Sequence, residues 1–120
     1  MDNKYWGKHL ILNLSGCPTN LITDEDNIRE WSKTLIKAID MIAYGDPFLK
    51  YFDNHDPGYT FSQIILTSNI TAHFVDTHGG AYIDIFSCKD FVSEDALKVC
   101  VEFFSPEHTE SQELYRGPKK

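Results

Sequence analysis

The sequence predicts an α+β fold, a layered α/β sandwich in which an antiparallel β-sheet carries two helices on one face. Three observations carry that reading. Two stretches, near residues 24–43 and 94–104, repeat apolar residues at steps of three and four. Segments such as 59–66, 69–76 and 81–87 are short and rich in β-branched and aromatic residues. The links between them are turn-like and brief, which favours antiparallel neighbours with the helices on one side. At 120 residues the chain is expected to be a single domain spanning 1–120.

Residues 8–15 alternate so that Leu10 and Leu12 share a buried face, giving a first strand. In the first helix Ile28, Trp31, Leu35, Ile39 and Ile42 fall on one side. Thr23 and Asp26 have the spacing of a capping box, Asp24 and Glu25 suit the positive end of the helix dipole, and Gly45-Asp46-Pro47 stops the helix. A short strand over 47–53 is followed by the turn signal Asn54-His55-Asp56-Pro57-Gly58. After the three strands, of which the last two are joined by His78-Gly79-Gly80, Ser93 is expected to cap a helix over 94–104 with Ala96, Leu97, Cys100 and Phe104 on its inner face. Residues 109–115 add an edge strand, and Tyr115 to Lys120 reads as a loose tail. The order is β-α-β-β-β-β-α-β.

Eleven basic against 18 acidic residues leave a formal net charge of −7. An acidic chain without a basic stripe is a poor match for phosphate backbones, so no nucleic-acid partner is expected. The longest apolar run, Ile64-Ile65-Leu66, is far too short for a membrane span, and Met1-Asp2-Asn3-Lys4 lacks a signal-peptide pattern. A cytoplasmic protein without a membrane partner is expected. Cys17, Cys88 and Cys100 are odd in number and lack zinc-site spacing, which points to free thiols and no metal.

Three positions in the strands could carry chemistry. Thr67-Ser68-Asn69 interrupts an apolar pattern between Leu66 and Ile70, as a tight turn does or as a reactive hydroxyl at a strained junction does. His73 lies within a strand and Cys88 ends one; each alone fits a structural role as well as a catalytic one. A metal cluster of His73, Asp76 and His78 is disfavoured, because alternation puts His73 and Asp76 on opposite faces. No Gly-x-Ser-x-Gly elbow supports a serine hydrolase.

Taken together, Gly58-Tyr59-Thr60, Leu66 to His73 and Ala81 to Cys88 resemble S-adenosylmethionine decarboxylases of the small prokaryotic type. Gly7-Lys8-His9-Leu10 and Arg116-Gly117 add to the resemblance, which covers nearly the whole chain. Many members have Glu-Ser-His where this chain has Thr67-Ser68-Asn69, and Trp-Pro-Glu where it has Val75-Asp76-Thr77. The resemblance implies self-cleavage between Thr67 and Ser68, leaving a covalent pyruvoyl cofactor at 68 that forms a Schiff base with the substrate amine. It implies that His73 moves protons during processing, that Thr60 polarises the peptide carbonyl, and that Cys88 protonates the substrate carbon. Phe74, Asp76 and Phe86 are its candidate substrate contacts, and a homodimer that completes the sandwich is its expected assembly. The small-molecule substrate implied is S-adenosylmethionine, feeding spermidine and other polyamine synthesis. A pyruvoyl enzyme for ornithine or arginine, and a non-processing homologue that binds a ligand or partner subunit, are the competing readings. Ser68 and His73 are five residues apart, so a straight strand would set them on opposite faces. The mapped mechanism therefore expects a turn or bulge at 67–69.

Overall fold

The structure, a computed structural model, describes residues 5–119. Met1 to Lys4 and Lys120, the last residue of the expected loose tail, lie outside the described residues. The elements are β1 (Tyr5–Ser15), a short α1 (Thr19–Ile22), α2 (Glu25–Ala38), β2 (Phe48–Phe52), β3 (Gly58–Ile65), β4 (Ser68–Val75), a 3-10 turn (Asp76–His78), β5 (Gly80–Ser87), α3 (Ser93–Phe104) and β6 (His108–Lys119). Six strands form one sheet in the order β2-β3-β4-β5-β1-β6. Every neighbouring pair is antiparallel. This is the expected α+β architecture. Among the described residues, no helix is long and apolar enough to cross a membrane.

Period-two alternation decides which face the helices cover. Leu10, Leu12 and Leu14 of β1 align with Ile85, Ile83 and Ala81 of β5, and these with Ile70, Ala72 and Phe74 of β4. All nine are buried. Onto this face α2 sets Ile28, Trp31 and Leu35, and α3 sets Ala96, Val99, Cys100 and Phe104. Trp31 is the centre of the packing, with ring centroids 5.2 Å from Phe61, 6.0 Å from Phe74 and 5.3 Å from Phe104. Full burial of each large side chain contributes about 1.5–3 kcal/mol, and each aromatic pair about 0.5–1.5 kcal/mol more.

Among the described residues, no helix covers the opposite face. Its rows include Thr60, Ser62 and Ile64 of β3, Asn69, Thr71 and His73 of β4, Tyr82, Asp84 and Phe86 of β5, and His9 and Ile11 of β1. Ile64 is 53% exposed there and Trp6 47%.

Four local expectations are corrected. The first helix ends at Ala38, not 43: Asp40 adopts a left-handed φ of 57°, and the chain then runs beside β3. There Tyr44 N–H donates to Ile64 and Leu66 N–H to Ile42, which leaves the Ile42 side chain exposed rather than in the core. Asp24, not Thr23, caps α2, accepting from the N–H groups of Asp26 and Asn27. Ser93 does not cap α3. It is the first helical residue, and its hydroxyl donates to Glu113 across the sheet edge. The tail is not loose through 119: β6 pairs with β1 as far as Tyr5 and Lys119, and Pro118 is tolerated because β6 is an edge strand.

Candidate active site

The polar break at 67–69 sits at a hairpin. Ile65 pairs with Ser68, so Leu66 and Thr67 form a two-residue turn between β3 and β4. The Thr67 carbonyl accepts the Cys88 N–H at 3.0 Å. The Thr67 hydroxyl accepts from Ser87 Oγ at 2.8 Å and donates toward Met41 Sδ at 3.3 Å. Ser87 Oγ in turn accepts the Lys89 N–H at 2.9 Å. Ser68 opens β4 opposite Ser87 with φ 156°, and its hydroxyl accepts from Asn69 Nδ2 at 3.3 Å. Two consecutive residues at the end of β5 thus hold Thr67 by both its carbonyl and its side chain.

Cys88 is half-buried. Two residues before it, Phe86 lies on the open face, flanked by Trp6 at 5.8 Å and His9 at 6.1 Å, with the Arg116 guanidinium 4.7 Å over its ring. Gly7 permits this nest, since a Cβ there would meet the ring at 3.1 Å. His9 also bonds Asp84 at 2.9 Å in the middle of the face.

A second polar group lies at the far end of the same strands. Thr60 and His73 are register partners, and Thr60 Oγ1 is 3.1 Å from His73 Nδ1. Nearby, Tyr51 donates to Asp76 Oδ2 at 2.7 Å, and this hydrogen bond to a carboxylate pushes the tyrosine pKa up. Asp76 Oδ1 is buried without a hydrogen-bond partner. His78 Nε2 is 2.8 Å from Tyr82 Oη.

The break that the mapped mechanism expects between Ser68 and His73 is corrected: the turn lies at Leu66-Thr67, before Ser68, and β4 runs straight and in register with both neighbours from Ser68 to Val75, which parts the two residues. Five residues at about 3.4 Å each separate Ser68 from His73 by roughly 17 Å, whereas proton transfer needs about 3 Å. Within one chain, then, Thr67, Ser68, Ser87, Cys88 and Phe86 share one end, and Thr60, His73 and Asp76 the other, so the expectation that Thr60 polarises the Thr67 carbonyl of its own chain is corrected: its hydroxyl lies against His73 instead. Phe74 needs a correction as a candidate substrate contact: it is 2% exposed, packed between Trp31 and Phe104, and cannot stack on a ligand at the open face.

Cys100 is core, accepting Trp31 Nε1–H at 3.3 Å, and burial pushes its thiol pKa up to about 12. Cys17 is also buried and is pushed up to about 11 by desolvation. The sequence reading passed over Ser87 and the Cys88 N–H. Ser87 left a signal: it occupies an inward position in a strand whose other inward residues are Ala81, Ile83 and Ile85. A fully buried hydroxyl in such a row is retained only with hydrogen-bond partners.

Residues 8–117 match the S-adenosylmethionine decarboxylase family. An S-adenosylmethionine decarboxylase proenzyme of Methanococcus maripaludis is 30% identical, over 95% of this chain and 92% of its own. One from Clostridium botulinum is 32% identical, over 95% of this chain and 97% of its own. The crystal structure of the adenosylmethionine decarboxylase of Aquifex aeolicus shares the fold, with a TM-score of 0.82 over 95% of this chain and 92% of that one at 24% identity. With a family match running from β1 into β6, this chain belongs to the S-adenosylmethionine decarboxylases, a family of enzymes.

Proposed function

We propose that this chain is a proenzyme that cuts itself between Thr67 and Ser68, gains a pyruvoyl group from Ser68, and decarboxylates S-adenosylmethionine to the aminopropyl donor of spermidine synthesis. The observation that carries the reading is the Cys88 N–H held 3.0 Å from the Thr67 carbonyl oxygen, at a turn followed directly by a serine. Adding a hydroxyl to a peptide carbonyl places negative charge on that oxygen, and an N–H already aimed at it lowers the barrier. The residues therefore fit the formation of this cofactor.

In the first step Ser68 Oγ bonds to the Thr67 carbonyl carbon, the peptide C–N bond breaks, and the hydroxyl proton ends on the released amine. Thr67 is now joined to Ser68 by an ester. Removal of the Ser68 α-proton expels the Thr67 carboxylate and leaves dehydroalanine at 68. Its imine tautomer takes up water and releases ammonia. His73 is the base for the α-proton, and the Thr60 hydroxyl at 3.1 Å fixes its ring. The pyruvoyl ketone supplies an electron sink for loss of the substrate carboxylate. Cys88 delivers a proton to the substrate α-carbon, and Phe86 offers a ring face near it.

Because Ser68 and His73 of one chain stand at opposite ends of β4, the reading requires two chains. A two-fold pairing of open sheet faces would set the Thr60–His73 pair of each copy against the Ser68–Cys88 end of the other, twice over. The uncovered Ile64, Trp6 and Tyr82 on that face, 53%, 47% and 37% exposed, support such a cover.

Intact-mass measurement of the purified chain tests the cleavage. Fragments 1–67 and 68–120 are expected, with Ser68→Ala remaining whole. Wild type that stays whole after long incubation would make this a non-processing homologue. Carbon dioxide release from S-adenosylmethionine, ornithine and arginine then tests the substrate, and turnover of either basic amino acid alone overturns that part.

A further inference from the structure

We infer that Ser87 is a positioning residue for self-cleavage, acting through the side chain of Thr67; the inference rests on the processing reading above. Ser87 is 0% exposed, and its hydroxyl donates to the Thr67 hydroxyl at 2.8 Å. The Met41 sulfur, at 3.7 Å, is the weaker alternative. The Lys89 N–H, 2.9 Å from Ser87 Oγ, fixes the rotamer, so the hydroxyl proton is free to point only outward toward the turn.

The consequence falls on the bond that breaks. Thr67 is tied at its carbonyl by Cys88 and at its side chain by Ser87, the residue before. Two ties from adjacent residues leave the turn little freedom to rotate the plane of the Thr67–Ser68 peptide. That plane decides whether the carbonyl carbon faces Ser68 Oγ and whether its oxygen keeps the Cys88 N–H while charge develops. The tie needs a hydrogen-bond acceptor in the side chain at position 67, so threonine there has a function of its own: its hydroxyl gives Ser87 something to hold. Ser87 touches no reacting atom. It acts on the first step, the shift from peptide to ester, and not on the later removal of the α-proton.

The test reads that step by itself. Hydroxylamine cleaves an ester, so the rate of chain cleavage in its presence reports ester formation without elimination. Thr67→Val removes the tie while keeping side-chain volume, and Thr67→Ser keeps the hydroxyl. Ser87→Ala removes the tie from the other side. Thr67→Val and Ser87→Ala are expected to slow hydroxylamine cleavage about tenfold, the effect of one hydrogen bond on a barrier, with Thr67→Ser near wild type. Once cleaved, each variant should bind and turn over substrate with an unchanged KM. Thr67→Val settles the matter if Ser87→Ala does not fold. Undiminished cleavage of Thr67→Val overturns the inference and leaves the processing reading standing. Wild type that never cleaves overturns both.

Discussion

If each site takes Ser68 and Cys88 from one chain and His73 from another, two inactive variants can rescue each other. His73→Ala lacks the base and Cys88→Ala lacks the acid. In a two-fold dimer of one chain of each kind, one site collects both defects and the other collects none. Random pairing makes about half the dimers mixed, and half the sites in those are intact, so about a quarter of wild-type activity should return. The requirement comes from the strand: the roughly 17 Å from Ser68 to His73 along β4 cannot be closed within a chain without breaking its register with β3 and β5. Co-expression of the two variants with different tags, purification through both, and measurement of fragment formation and carbon dioxide release provide the assay. Doubly tagged material should reach about half of wild-type activity, since all its dimers are mixed. Activity in the mixture no higher than in either variant alone would refute the divided site and return His73 to the chain that carries Ser68.

Three further outcomes are expected. A thiol reagent at pH 8 should modify Cys88 in the native protein and spare Cys17 and Cys100, which are buried and pushed up to about 11 and about 12; mass spectrometry of digests locates the label. Trp31→Ala should cost about 3–5 kcal/mol, a large share of a domain's total of about 5–15, measured by urea unfolding, because it opens the contact of Phe61, Phe74 and Phe104. Glu113 is held below its ordinary pKa, first by the Ser93 hydroxyl and then by that of Tyr115, so its stabilisation is present above the unfolded glutamate pKa and is lost as pH falls through the lower folded value. The Tm gap between wild type and Glu113→Gln should therefore hold from pH 7 down to the ordinary glutamate range of about 4 and close below it.

The fold was legible wherever local pattern and tertiary packing agreed. Alternation in 59–66, 69–76 and 81–87 marked three strands, and Trp31 and Leu35 marked the inner face of α2. Ile42 continued the helical rhythm but belongs to a chain segment paired with β3, and periodicity alone does not distinguish the two. Gly117 and Pro118 suggested an end to structure, yet an edge strand needs few of their hydrogen bonds. The odd spacing of Ser68 and His73 showed in advance that a straight strand would part them. What would cover the open face was not written in any local pattern, because in the proposed two-fold pairing a second chain would bring its residues from elsewhere. Phe74 was an aromatic among several, and only the sheet's parity assigns it to the core.

The order β2-β3-β4-β5-β1-β6 has a consequence for the lifetime of the processed protein. Scission after Thr67 would put β1, β2 and β3 in one piece and β4, β5 and β6 in the other. Yet β1 lies between β5 and β6, while β3 lies against β4, so the pieces are woven through a single sheet. Cutting the turn would remove no ladder, and the halves would stay together without a covalent link. Once unfolded, however, they would have to find each other again, so refolding would change from a unimolecular to a concentration-dependent reaction. The proposed cut would thus introduce hysteresis: the cleaved sheet would persist because it was assembled from an intact thread, and its durability would be set by how slowly it opens.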